Sequence, residues 1–241
     1  MNTTAIQKAM DEANKAGGGR VVVSGGTFYW IHDCDYVRMT GLNIIADAQY
    51  PNNDGIHINS SRHVTVSDCN ITCGDDSVVL RANNVSLKGN KVCEHVTITN
   101  CNLTSYSSAV RIGWTNDGTI RKNVMDHTNS AGSDVGREET VVENITFSNI
   151  IMDKQAGYPI HIHLDHAEWA KVKRIHNLYF SNVHARGPEL PCFEGRPDCL
   201  IEDVYLNDCT FEQTDGSELE DRGGHGPINT DADVIHPLKM E

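Results

Sequence analysis

The sequence predicts an all-β fold, a single-stranded right-handed parallel β-helix with a short N-terminal capping helix. Three observations carry that expectation: six segments that share one register, four more that share a second, and an amphipathic stretch ahead of them that closes on glycines. No linker or low-complexity tract divides the 241 residues, which read as one domain. Within it, residues 1–28 form the cap and first strand, 29–212 the rungs and 213–241 an irregular tail.

The chain opens on "TTAIQKAMDEANKAGGG", from Thr3, where Ala5, Ile6, Ala9, Met10 and Ala13 fall on one face of a helix and the glycines stop it. Such a helix covers the open end of a solenoid, whose terminal rung has no neighbour to bury it. "RVVVSGGTF", from Arg20, follows as the first strand and turn.

The six register segments begin at Val37, Val64, Val96, Ile145, Leu178 and Val204, as in "VTVSDCNI" and "VTITNCNL". Each has apolar residues at its first, third and sixth positions, and Gly41, Asp68, Asn100, Asn149, Asn182 or Asp208 at its fifth. An apolar period of two makes strands, and the fifth residue is of the kind that tolerates left-handed backbone. Each segment is therefore a strand, a one-residue turn and a second strand. Starts separated by 27, 32, 49, 33 and 26 residues suit a coil that returns once per repeat. Cys69, Cys101 and Cys209, at the sixth position, read as inward-facing thiols rather than disulfides. The eight cysteines also lack the CxxC spacing of zinc ribbons, so they are not expected to hold a metal; no cofactor is expected.

The second set aligns "DGIHIN" from Asp54, "DSVVLR" from Asp76, "SAVRIG" from Ser108 and "YPIHIH" from Tyr158. Ile56, Val78, Val110 and Ile160 make one inward column, and Ile58, Leu80, Ile112 and Ile162 another. With rungs about 4.8 Å apart, Asp54 and Asp76 meet on one outer face, flanked by His57, Arg81, Arg111, His161 and His163. Asp75 joins them if Gly74 lets the backbone bend before the strand.

Three convergent carboxylates suit acid/base hydrolysis of a glycosidic bond, because like charges raise one pKa and leave another group ionised. The same residues also suit calcium binding or turn formation. The formal charge of −13 argues against nucleic acid and anionic membranes as partners. No apolar run approaches the roughly 18 residues of a membrane span, and "MNTTAIQKAM" lacks the pattern of a secretory leader. Secreted and cytoplasmic locations both fit, and nothing indicates an oligomeric state.

The stretch "NNDGIHINSSRHVTVSDCNITCGDDSVVLR", Asn52 to Arg81, resembles glycoside hydrolase family 28, the polygalacturonase family, whose members carry Asn-x-Asp-Gly and then Gly-Asp-Asp. The opening helix resembles that family's cap as well. The resemblance implies an inverting hydrolase acting on pectin-type, galacturonic-acid-containing carbohydrate. Asp75 matches its general acid and Asp54 with Asp76 its water-activating pair, with about 6.5–9.5 Å between acid and base. Asn52 would shape the site, and Arg81 stands where many relatives have a lysine. His57, Ser108, Arg111, His161 and His163 complete the expected substrate-binding set.

The chain departs from the family pattern in three places. Ser107, Ser108 and Ala109 replace Gly-His-Gly, and His161-Ile162-His163 replaces an Arg-Ile-Lys strand that grips substrate carboxylates. "GGTF" passes almost directly into "YWIHDCDYV", where relatives have further rungs. Two other functions fit such a β-helix: a lyase or epimerase, which would want calcium and a basic proton abstractor, and a non-catalytic carbohydrate-binding module. Trp30, Trp114 and Trp169 suit either stacking on sugar rings or packing, the commoner use of a lone tryptophan, and are assigned no role.

Overall fold

The computed structural model describes residues 3–19, 21, 29–46, 53–82, 92–113, 140–163, 172–195, 197, 200–217 and 219. Asn52, Trp114, Trp169, most of the "RVVVSGGTF" segment and the tail beyond residue 219 lie outside them. Helix α1 runs Thr3–Lys15. Ile6, Ala9 and Ala13 on its apolar stripe are half-buried. Gly17, at φ 80°, ends it in a Schellman motif: its N–H donates to the Asn14 carbonyl at 3.0 Å, and that of Gly18 to Ala13 at 2.9 Å.

The strands follow as rungs. The first rung holds β1 (Tyr29–His32), β2 (Arg38–Thr40) and β3 (Asn43–Ile45), the second β4 (Ile56–Asn59), β5 (Arg62–Ser67) and β6 (Asn70–Cys73). Next come β7 (Val78–Arg81) with β8 (Cys93–Ser105), then β9 (Val110–Ile112) with β10 (Thr140–Met152). The last are β11 (Ile160–His163) with β12 (Val172–Gly187), and β13 (Cys192–Glu194) with β14 (Ile201–Asn207) and β15 (Thr210–Gln213). One sheet stacks β1-β4-β7-β9-β11-β13; the other runs β14-β12-β10-β8-β5-β2, with β3, β6 and β15 continuing it beyond the corner. Every pairing between consecutive rungs is parallel, so the fold is a parallel β-helix.

The register is the one the repeats predict. Val64 pairs Val96, Val96 pairs Ile145, Ile145 pairs Leu178, and Leu178 pairs Val204. Across the helix axis, Ile56, Val78, Val110 and Ile160 form a buried column, as do Ile58, Leu80, Ile112 and Ile162. The predicted one-residue turns are present, with φ of 66° at Gly41, 56° at Asp68, 55° at Asn100, 54° at Asn149, 52° at Asn182 and 53° at Asp208. Their amides ladder across rungs: Asn149 Nδ2 donates to Asn100 Oδ1 at 3.0 Å, and Asn182 Nδ2 to Asn149 Oδ1 at 2.8 Å.

A second left-handed column, which the repeat analysis did not anticipate, lies five residues earlier on each rung: Tyr36, His63, His95, Asn144, Asn177 and Asp203. Rings take the place of amides over part of it, with Tyr36 on His63 at 4.7 Å and His63 on His95 at 5.0 Å between centroids. Cys69, Cys101 and Cys209 are free thiols; the first two are buried and the third half-buried.

Candidate active site

The three aspartates lie where two rungs enter the six-stranded sheet. Asp54 and Gly55 lead into β4, and a bend at Gly74 and Asp75 carries the chain from β6 towards β7. The rungs are tied together there: Asp75 N–H donates to the Asn53 carbonyl at 3.3 Å and Gly55 N–H to that of Asp76 at 2.9 Å. Gly55 is required by space, because a Cβ on it would run into the Ser77 carbonyl oxygen and meet Ile71 Cγ2 at 2.6 Å. That close approach sets Asp54 beside Asp76.

The bend is anchored from beneath. Ser105 Oγ donates to the Asp75 carbonyl at 2.6 Å and Cys73 Sγ to the same oxygen at 3.0 Å. Ser105 is itself fixed by Gln155, fully buried, whose Oε1 accepts the Ser105 N–H at 3.1 Å. The Asp75 side chain turns back over the next peptide, and its Oδ1 accepts the Asp76 N–H at 3.0 Å.

Asp54, Asp75 and Asp76 each offer an oxygen within 4.8 Å of the other two. At closest approach this is tighter than the 6.5–9.5 Å expected between acid and base, because two of the residues are consecutive and the third lies one rung away. Burial first, then the charges of Asp76 and Asp54, pushes the Asp75 carboxyl up to about 7. Asp76 is held by the Ser108 N–H, which donates to Oδ1 at 2.9 Å, and faces Arg111 Nε, 3.8 Å from its Oδ2. Asp54 Oδ1 lies 3.1 Å from His57 Nε2.

Two outward columns order the remaining residues. Trp30, His57, Val79, Arg111, His161 and Cys192 form one in register. His32, Asn59 and Arg81 form the start of the other, and His163 pairs Glu194 further along the same sheet. Thus His57, Ser108 and Arg111 gather around the aspartates. His161 lies one rung further, against the Tyr158 ring at 4.6 Å and Glu194 at 3.8 Å. Arg81 is buried in the neighbouring column.

Sequence reasoning missed Trp30, Cys192 and Glu194 on this face. Trp30 is 44% exposed, with its ring 5.5 Å from that of His57, and so is not a core residue. "YWIH" could have revealed it, since Tyr29 and Ile31 repeat the inward spacing of Ile56 and Ile58. Two groups of side chains offer metal-ligating atoms among the described residues: the three aspartates, and His161 with Cys192 and Glu194.

A parallel β-helix bearing three converging carboxylates on one sheet is what the fold and the site define. Residues 26–187 match the family model of Glycosyl hydrolases family 28, and the chain belongs to that family. It is 36% identical over 61 residues to each of two probable polygalacturonases of Arabidopsis thaliana, matches that cover 24% and 25% of this chain and 13% and 14% of theirs. It is 26% identical over 230 residues to Polygalacturonase QRT2 of Arabidopsis thaliana, covering 82% of this chain and 49% of that one. The chain thus spans at most about half the length of these curated relatives.

Proposed function

We propose that this chain is a glycoside hydrolase that cleaves pectin-type, galacturonic-acid-containing poly- or oligosaccharides by acid/base catalysis with inversion, a stereochemistry supported by the resemblance to its family rather than by the spacing of the three aspartates. The observation that carries the reading is a carboxyl pushed up to about 7, Asp75, beside two further carboxylates. Such a group keeps its proton in mildly acidic solution and can give it to a departing glycosidic oxygen. Asp54 and Asp76 take the proton of the attacking water. Arg111 and the Ser108 N–H orient Asp76, while His57 lies against Asp54. Asn52, His57, Arg81, Ser108, Arg111, His161 and His163 are the proposed substrate contacts, and the exposed Trp30 ring adds a surface on which a sugar can stack.

Family membership and the names of the relatives support the reaction class and the pectic substrate. A product screen on homogalacturonan, rhamnogalacturonan and unsaturated pectic oligosaccharides tests both. The expected products carry new reducing ends without new ultraviolet absorption. An absorbing double bond in the products would assign a lyase instead, and binding without turnover a carbohydrate-binding module.

A further inference from the structure

One rung beyond Arg111, β11 and β13 pair with His161 opposite Cys192 and His163 opposite Glu194. His161 Nε2 is 3.8 Å from Glu194 Oε2, and the ligating nitrogen, sulfur and oxygen of His161, Cys192 and Glu194 all lie within 4.8 Å of one another. His161 is buried and the other two are half-buried. We infer that His161, Cys192 and Glu194 form a binding site for a divalent transition metal of the zinc class.

The donor set selects the ion. A thiolate with an imidazole and one carboxylate suits zinc, cobalt or nickel, whereas calcium and magnesium prefer oxygens alone. The spacing fits too. Ligand atoms about 2.0–2.3 Å from a tetrahedral ion lie about 3.3–3.6 Å from each other, so small side-chain rotations close the observed gaps. Three protein ligands leave a fourth position for water or another ligand.

The Cys192 thiol hydrogen-bonds to Glu194. When the metal binds, the S–H bond breaks, the proton passes to solvent and the sulfur electron pair forms the metal–sulfur bond. No oxidation state changes. CxxC spacing does not mark such a site. Its ligands come from neighbouring rungs, and Cys-x-Glu on one strand meets a histidine on the strand before it.

Titration of the purified, chelator-treated full chain with Co²⁺, followed by near-ultraviolet absorption, tests the inference. The expected result is one ion per chain with a sulfur-to-cobalt charge-transfer band that Zn²⁺ abolishes. Cys192→Ser should remove the band, while Cys209→Ser, a half-buried thiol at the corner between β14 and β15, should leave it. Glu194→Gln should weaken binding by about tenfold or more, since even partners outside the coordination shell are worth that much. No uptake, a cobalt spectrum without the sulfur band, or a band that survives Cys192→Ser would overturn the site. Should Cys192→Ser fail to fold by circular dichroism, unchanged affinity in Glu194→Gln would overturn it equally.

Discussion

Asp75 is costly for the fold to keep. Between the ordinary carboxylate range and about 7, the folded chain holds a proton on it that the unfolded chain has lost. The folded state binds more protons in that window, so stability falls as pH rises through it, and the full penalty is present above about 7. Asp75→Asn removes the charge. Urea titrations should show this variant more stable than the parent by about 2–4 kcal/mol at pH 8 and little changed at pH 4. Its hydrolysis rate should be lower by about 10²–10⁴-fold, the worth of a general acid. In the parent, the rate should decline as pH rises through about 7, because Asp75 then loses the proton that its proposed acid role requires. A rate profile flat across that value would remove Asp75 from the acid role. At this scale the sequence was legible where residue types were unusual: consecutive aspartates after a glycine stand out from turn residues. Cys192 and Glu194 did not, because β13 contributes only Phe193 between them as an apolar marker of its register.

At the scale of the element, a glycine and an asparagine carry opposite kinds of constraint. Gly55 needs space: in Gly55→Ala the new methyl group meets backbone as well as Ile71, so the β4 rung must shift away from β7. Denaturant midpoints should report a loss of about 1–3 kcal/mol, with activity falling further than stability because Asp54 moves with the rung. Asn149 needs a left-handed backbone, at φ 54°, and two ladder bonds. Asn149→Gly and Asn149→Ala both lose the bonds, but only alanine adds the strain. Alanine should therefore be the worse of the two by about 1–2 kcal/mol in the same titrations. The turn column containing Asn149 was legible because Asn, Asp and Gly filled it throughout. The earlier column was not, since its first three members, Tyr36, His63 and His95, are stacked rings that give no turn signal, and Asn144, Asn177 and Asp203 mark it only on the later rungs.

Across the whole molecule, a period of two within each strand and a return every rung bring residues far apart in sequence into one column. The fold was legible for that reason: every rung repeats the same apolar pattern, so an error in one segment is corrected by its neighbours. The site was legible only where it lay next to the repeats. Asp54 and Asp76 were found by alignment, whereas Trp30 opens a rung that the alignment did not include. The stack also sets its own stability. Phe147 and Phe180, fully buried with ring centroids 5.0 Å apart, fill the middle of the core. Phe147→Ala should cost about 3–5 kcal/mol in urea unfolding. The central claim is that three aspartates on this β-helix hydrolyse a galacturonic-acid polymer with inversion. Nuclear magnetic resonance of the first sugar released from homogalacturonan tests it most directly. The account predicts a new reducing end whose first-formed anomer is opposite to the cleaved linkage, formed at least about a hundredfold more slowly by Asp75→Asn. A retained anomer, or the same product at the parent rate from Asp75→Asn, would contradict it.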